Sequence, residues 1–349
     1  MDHALDDTAP DGGQPRPVRR ITIILAIVGL VIAFAPYLQG MFGPGNGSGG
    51  GGHGAAQFGG AASPEMFNLK NPTIDIDEIY SGGVSKDGIP ALTDPDFLVA
   101  SEADYMRPDD EIIAYEHNGD AHAYPLRILV WHEIANDTVG GKPVAATYCP
   151  LCGTAMMFGR EVNGRELTFG VSGLLYHSDV LMYDHQTESL WSQLKMECVA
   201  GEFAGQKLEW LASDQMKWSE WKEQHPGGKV LSTDTGHMRN YNRMPYQSYF
   251  ASSQVKFPVP QTRRELPMKS WVVGLIVDGV PKAYPLEKIE ARDESLADTV
   301  GGTEIIVTHD PDSGAIRAKR ADSGEQIPIV RSYWFAWQAF YPGTKLYGG

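Results

Sequence analysis

Cys149 and Cys152, separated by Pro150 and Leu151, are the residues of this chain best placed by type and spacing to do chemistry. Two cysteines at this interval bring their sulfurs within reach of one ion or of each other. Pro150 stiffens the turn between them, and Gly153 lets the backbone reverse just after it. Three uses follow. Thiolates joined by an imidazole or a thioether select a soft ion such as Cu(I). A thiol pair with one stabilised thiolate exchanges disulfides. A structural disulfide or a structural ion simply pins the loop.

Each use meets an objection. A closed zinc site shows four Cys or His ligands, whereas this chain has three cysteines and no second Cys-x-x-Cys. A thioredoxin-like pair belongs between a strand and a helix of a βαβ unit, and the surroundings here read as a hairpin. A disulfide across so short a loop gains little chain entropy. The soft-metal reading, copper in the first instance, takes Cys149, Cys152 and His132 as ligands, with Met156 and Met157 as weaker donors and His177 as another neighbour in sequence. Thiol–disulfide exchange and a non-catalytic interaction module with a structural Cys pair stay open beside it. Cys198 reads as a small buried hydrophobe, the commonest fate of a lone cysteine.

Other polar residues carry less. His117 and His122 flank a hairpin turn. Asp184, His185 and Glu188 fall in a turn between strands, where such groups are usually solvated. Ser172 lacks the full Gly-x-Ser-x-Gly elbow of a serine hydrolase. The eight tryptophans read as core anchors. No phosphate loop and no dinucleotide fingerprint is present.

The elements that must position the thiols repeat within the chain. Residues 112–155 and 272–315 share an apolar strand, an Asn-Gly or Asp-Gly turn, Ala-Tyr-Pro-Leu, a short helical piece, Asp-Thr-Val-Gly-Gly and a second strand ending in Thr. Asn118-Gly119 and Asp278-Gly279 are hairpin signals, since both central residues of a type I′ turn need positive φ. The expected fold is α+β, predominantly antiparallel β with short helices. It is read as two pseudo-symmetric repeats, 65–255 and 256–349, the first enlarged by an insertion over 160–212. The halves differ where chemistry is expected. Thr147-Tyr148-Cys149-Pro150-Leu151-Cys152-Gly153 aligns with Thr308-His309-Asp310-Pro311-Asp312-Ser313-Gly314, and His132 also lacks a counterpart. If one half keeps the scaffold and the other the chemistry, the chemistry belongs to the first.

Residues 21–38 form an apolar run of 18 without a charge, close to the minimum for a membrane-spanning helix. Arg16, Arg19 and Arg20 precede it and no Lys or Arg follows before Lys70, so residues 1–20 are expected in the cytoplasm. Ala33-Phe34-Ala35 has the form of a cleavage site, but Pro36 follows it directly, which favours an uncleaved anchor in the lipid bilayer. Residues 39–64 are a Gly-rich tether. The globular part is thus expected to face the periplasm or exterior from a single-pass anchor in the cytoplasmic membrane. A formal net charge of −15 argues against nucleic acid as a partner.

These motifs resemble one family. Ala-Tyr-Pro-Leu from Ala123, Trp-His-Glu-Ile-Ala-Asn-Asp from Trp131 and Thr-Tyr-Cys-Pro-Leu-Cys-Gly from Thr147 carry the resemblance. Ser-Gly-Leu-Leu-Tyr from Ser172, Met-Tyr-Asp from Met182, Ser-Leu-Trp-Ser-Gln from Ser189 and Trp-Phe-Ala-Trp from Trp334 extend it. The chain is similar, over most of residues 74–347, to the domain-of-unknown-function family numbered 3179. The resemblance implies an exported protein with His132, Cys149 and Cys152 inside the shared pattern and His177 and Cys198 outside it. It implies no activity.

Overall fold

Hairpins made by Asn118-Gly119 and Asp278-Gly279 organise the sheets. Both pairs take the positive φ of a type I′ turn, 50° and 78° in the first and 51° and 78° in the second. The turns join Glu111–His117 to Asp120–Pro125 and Trp271–Val277 to Val280–Pro285, with Ile113 opposite Tyr124 and Val273 opposite Tyr284. The structure, a computed structural model, describes residues 60–260, 263–292 and 295–348. The expected anchor at 21–38 and most of the tether lie outside them. Among the described residues no helix is long and apolar enough to cross a membrane.

Five four- or five-stranded sheets, mostly antiparallel, form the blades of a β-propeller. The first blade adds Asp214–Lys217, Lys229–Leu231 and Phe97–Val99 to the Asn118 hairpin. The second is built on Ile134–Val139, Lys142–Cys149 and Thr154–Gly159. The third contains Ile79–Ser81, Phe169–Tyr176, Asp179–Asp184, Leu190–Ser192 and Glu197–Ala200. The fourth adds Ile329–Tyr333 and Lys345–Leu346 to the Asp278 hairpin. The fifth runs through Leu296–Val300, Thr303–His309, Ile316–Arg320 and Gln326–Ile327.

This architecture corrects the expectation of two pseudo-symmetric repeats after a membrane helix. Each repeated segment supplies strands to two neighbouring blades, so the duplicated parts account for four. What reads as an insertion over 160–212 holds most of the third blade, which has no partner in the second segment. An odd blade forbids division into two equivalent halves. The antiparallel character and the short helices are as expected.

The duplicated segments nevertheless make the same local bonds. Tyr124 donates its hydroxyl to Asp137 Oδ2 at 2.6 Å, and Tyr284 donates to Asp298 Oδ2 at 2.8 Å. A cationic or potentially cationic group shares each carboxylate: His122 Nδ1 lies 2.7 Å from Asp137 Oδ2 and Lys282 Nζ 2.5 Å from Asp298 Oδ2. Each triad ties a hairpin of one blade to the first strand of the next. Between them, Pro125 and Pro285 stand at the N-caps of the helices Leu126–His132 and Leu286–Glu290. Trp191, Trp221, Trp334 and Trp337 are fully buried, as core anchors must be, whereas Trp271 is exposed and departs from that expectation.

Removing a buried carboxylate leaves its donors without a partner, a loss typically of about 3–5 kcal/mol. Asp137→Ala is therefore expected to destabilise the full-length chain by about that amount in denaturant unfolding. Asp298→Ala, at a more exposed carboxylate, should destabilise less. Equal and negligible effects would remove the triads as blade ties.

Candidate metal centre

The thiol turn is held from three directions. Cys149 ends the strand Lys142–Cys149, and the chain re-enters the sheet at Thr154, opposite Cys149. The Gly153 amide donates to Cys149 O at 2.8 Å, the Tyr249 hydroxyl to Leu151 O at 2.7 Å, and the Tyr333 amide to Cys152 O at 2.9 Å. Gly153 has φ 70°, and a Cβ there would fall 2.3 Å from Trp271 Cη2, so only glycine satisfies both the turn and the close approach.

Facing this turn is the tip of a second hairpin, from the third blade. His177 and Ser178 join Phe169–Tyr176 to Asp179–Asp184, both in the left-handed region with φ 50° and 67° although neither is glycine. The tip brings Ser178 O to 3.2 Å from Cys152 Sγ and 4.0 Å from Cys149 Sγ, where the thiols donate to it. It also sets the Asp179 carboxyl beside them. One ligand atom each from Cys149, Cys152 and Asp179 lies within 4.8 Å of the other two, and all three residues are buried. Asp179 Oδ2 accepts the Leu194 amide at 2.9 Å, while its buried Oδ1 has no hydrogen-bond partner. No disulfide joins the cysteines. Two sulfurs and a carboxylate oxygen at this spacing are able to hold a metal ion.

The electrostatics of the site favour protons in the absence of an ion. Burial raises the Cys149 thiol above its usual range and the Cys152 thiol well above it, and the Asp179 charge adds to both shifts. Burial lifts Asp179 to about 7, although the Leu194 and Val180 amides pull it partly back. Glu133, directly after the helix Leu126–His132, is lifted to about 8 by burial and then by the Asp179 charge.

His132 is not brought to this group. Its Nδ1 lies 2.7 Å from Pro90 O and its Nε2 2.7 Å from the Tyr241 hydroxyl. Both ring nitrogens are thus engaged, and burial lowers its pKa to about 4, which keeps the ring neutral. Nδ1–H donates to Pro90, leaving Nε2 to accept from Tyr241. Met156 and Met157 are buried in Thr154–Gly159, opposite Thr147 and Ala146. Strand alternation gives only Met156 the same face as Cys149. His177 sits at the tip beside Asp179, but its ring stacks on Tyr176 and its Nε2 lies 3.2 Å from Glu78 Oε2. Cys198 is separately buried, its thiol donating to Ala200 O at 3.3 Å.

The reading of residue types passed over Asp179 and Glu133. Asp179 opens a wholly buried strand whose middle is apolar and which closes on a second buried aspartate, Asp184, and a charged residue at such a position is the signal that was available. Glu133 adjoins the histidine that drew attention instead.

The chain matches a family described as "Protein of unknown function (DUF3179)" over residues 86–344. It belongs to that family. No curated protein and no solved structure matches it. The matched span contains the thiol turn, Asp179 and Glu133, so the whole centre lies within the part shared with DUF3179.

Glu133 and Asp179 hold protons more tightly in the folded chain than in the unfolded one. Their contribution to stability is complete below the ordinary carboxylate range and is lost as pH rises through about 7 to 8. Thermal unfolding of the chelator-treated protein should therefore fall to lower temperature between pH 5 and pH 8.5, and Glu133→Gln should flatten the upper part of that fall. A melting temperature that climbs over this interval in the treated protein would contradict the assignment.

Proposed function

We propose that this protein binds a divalent metal ion between the Cys149–Cys152 turn and Asp179, on a globular part held outside the cytoplasmic membrane by residues 21–38. The observation that carries the reading is the convergence of three donor atoms from two hairpin tips within 4.8 Å, with Asp179 Oδ1 buried and unpartnered. A buried carboxylate oxygen without a partner is costly, and a cation is the group that offsets that cost while also stabilising both thiolates.

The donor set argues for the ion's class. Copper as Cu(I) suits two thiolates with an imidazole, but His132 is engaged elsewhere and a carboxylate stands in its place. Two thiolates and a carboxylate carry three negative charges, better balanced by a dication than by a monocation. A borderline ion of the zinc type accepts sulfur and oxygen together, and three protein ligands leave a fourth position open. Thiol–disulfide exchange is the weaker reading, because burial raises both thiols and leaves Cys149 and Cys152 almost no exposed surface for a partner disulfide. The apolar run after three arginines supports the location, and an oxidising exterior gives an ion a second use in protecting free thiols.

Metal content of the full-length protein, purified in detergent under reductant and without oxygen, tests the proposal. About one divalent ion per chain is expected. Cys152→Ser and Asp179→Asn should each weaken binding by at least ~10–100-fold, the range seen when even a supporting group is lost. His132→Ala should retain the ion. Copper in place of zinc would overturn the assigned identity, and equal uptake by a Cys149→Ser/Cys152→Ser double variant would overturn the site.

A further inference from the structure

One segment touches both hairpin tips of the metal centre without belonging to any sheet. The chain between Lys229–Leu231 of the first blade and Trp271–Val277 of the fourth has, among the described residues, a single regular element, the helix Gln247–Phe250. A connection this long without secondary structure is uncommon in a packed domain and is usually functional. It is anchored in two places. Arg127 Nη2 donates to Asn242 Oδ1 at 2.6 Å, Trp131 Nε1 to Arg243 O at 3.2 Å, and the Tyr241 hydroxyl to His132 Nε2 at 2.7 Å. Further on, Gln338 Nε2 donates to Pro260 O at 2.7 Å. Between these anchors residues 244–259 lie across the centre. The Tyr249 hydroxyl holds Leu151 O in the thiol turn, and Phe257 O receives the hydroxyl of Ser178, next to Asp179. Lys269 Nζ grips the same span, donating to Tyr249 O at 2.6 Å and to Ser252 O at 2.8 Å, and stands 3.8 Å from the centre of the Tyr249 ring.

We infer that residues 244–259 are the gate of the metal centre, a flap that lifts off the two tips to admit or release the ion while its anchors stay in place. The inference rests on the metal reading and deepens it. Cys149, Cys152 and Asp179 are all buried, so an ion reaches them only when part of their cover leaves. The two tips themselves are closed ends of antiparallel pairs, Lys142–Cys149 with Thr154–Gly159 and Phe169–Tyr176 with Asp179–Asp184. Trp271 and Tyr333, which pack on the thiol turn from the fourth blade, are opposite each other at one end of that blade's ladder. Moving any of these strains a sheet. Residues 244–259 belong to no ladder, and segments of this kind open at the least cost in free energy. The flap is also lightly sunk into the protein, with only Pro245, Tyr246, Tyr249 and Phe257 buried. His132 gains a place in this scheme, because its bond to Tyr241 fixes the near anchor about which the flap turns.

The experiment follows Co(II) in the full-length protein, reduced and free of oxygen, through its thiolate charge-transfer band. Uptake by the metal-free chain and removal by excess EDTA give two rates. Tyr249→Phe removes one bond that holds the flap down, so both rates should rise together by ~2–10-fold, with the dissociation constant and band intensity unchanged. Lys269→Met should raise both by at least as much, since bonds from a charged donor are stronger. A joint rise is the mark of a gate, because loss of a group that merely supports the ligands quickens removal alone. Removal quickened alone, or both rates unchanged in both variants, overturns the gate and leaves the metal reading standing. So does acceleration by Trp271→Ala where Tyr249→Phe has no effect, since the ion then enters beside the fourth blade. Hydrogen exchange on the wild-type chain gives a reading that needs neither variant nor metal. Amides of residues 246–257 should exchange ahead of those in Lys142–Cys149 and Phe169–Tyr176, and equal protection overturns the gate. Failure to take up cobalt at all overturns the metal reading and this inference with it.

Discussion

Two hairpin tips from neighbouring blades meet end to end, and the carbonyl of Ser178 stands where the thiols of Cys149 and Cys152 must donate. Neither tip is free to choose its shape. The thiol turn is fixed by Gly153 against Trp271 and by hydrogen bonds from Tyr249 and Tyr333, while the opposing tip is drawn through two non-glycine residues at positive φ. Left-handed backbone at His177 and Ser178 costs energy that surrounding contacts must supply. Ser178 contributes through its hydroxyl, which donates to Phe257 O at 3.0 Å.

Local features were legible in the sequence and distant ones were not. The Asn118-Gly119 and Asp278-Gly279 hairpins follow from two residues each, and the Tyr-Asp ties recur because each segment carries the same short motif. The third blade was hidden because it occurs once, so self-comparison reads it as an insertion. Asp179 lies 27 residues beyond Cys152, and only the pairing of separate sheets brings them together. His132 shows the opposite limit. Its residue type and its absence from the second segment both suggested a ligand, but the same facts suit a neutral histidine bridging Pro90 and Tyr241.

Comparing the two Tyr-Asp ties separates scaffold from chemistry. Lys282 and His122 occupy corresponding places beside their carboxylates, so the tie tolerates different partners as long as a hydrogen-bond donor is present. The first pair carries an additional neighbour: Asp120 lies 3.2 Å from His122 Nε2 and also meets Lys229 at 2.8 Å. That extra carboxylate belongs to the first blade's own wiring and lies apart from the thiol group. Divergence between duplicated segments thus marks more than one kind of change, and loss of a residue from one copy is not by itself a sign of a binding role.

The hydrogen bond from the Tyr333 amide to Cys152 O has a consequence in time as well as in space. A ribosome completes the thiol turn long before it adds Trp271 and Tyr333, the residues that cover it from the fourth blade. Until they arrive, both sulfurs are unshielded on an unfinished chain. The sulfurs are therefore shielded only once the last-made blades have closed over the turn.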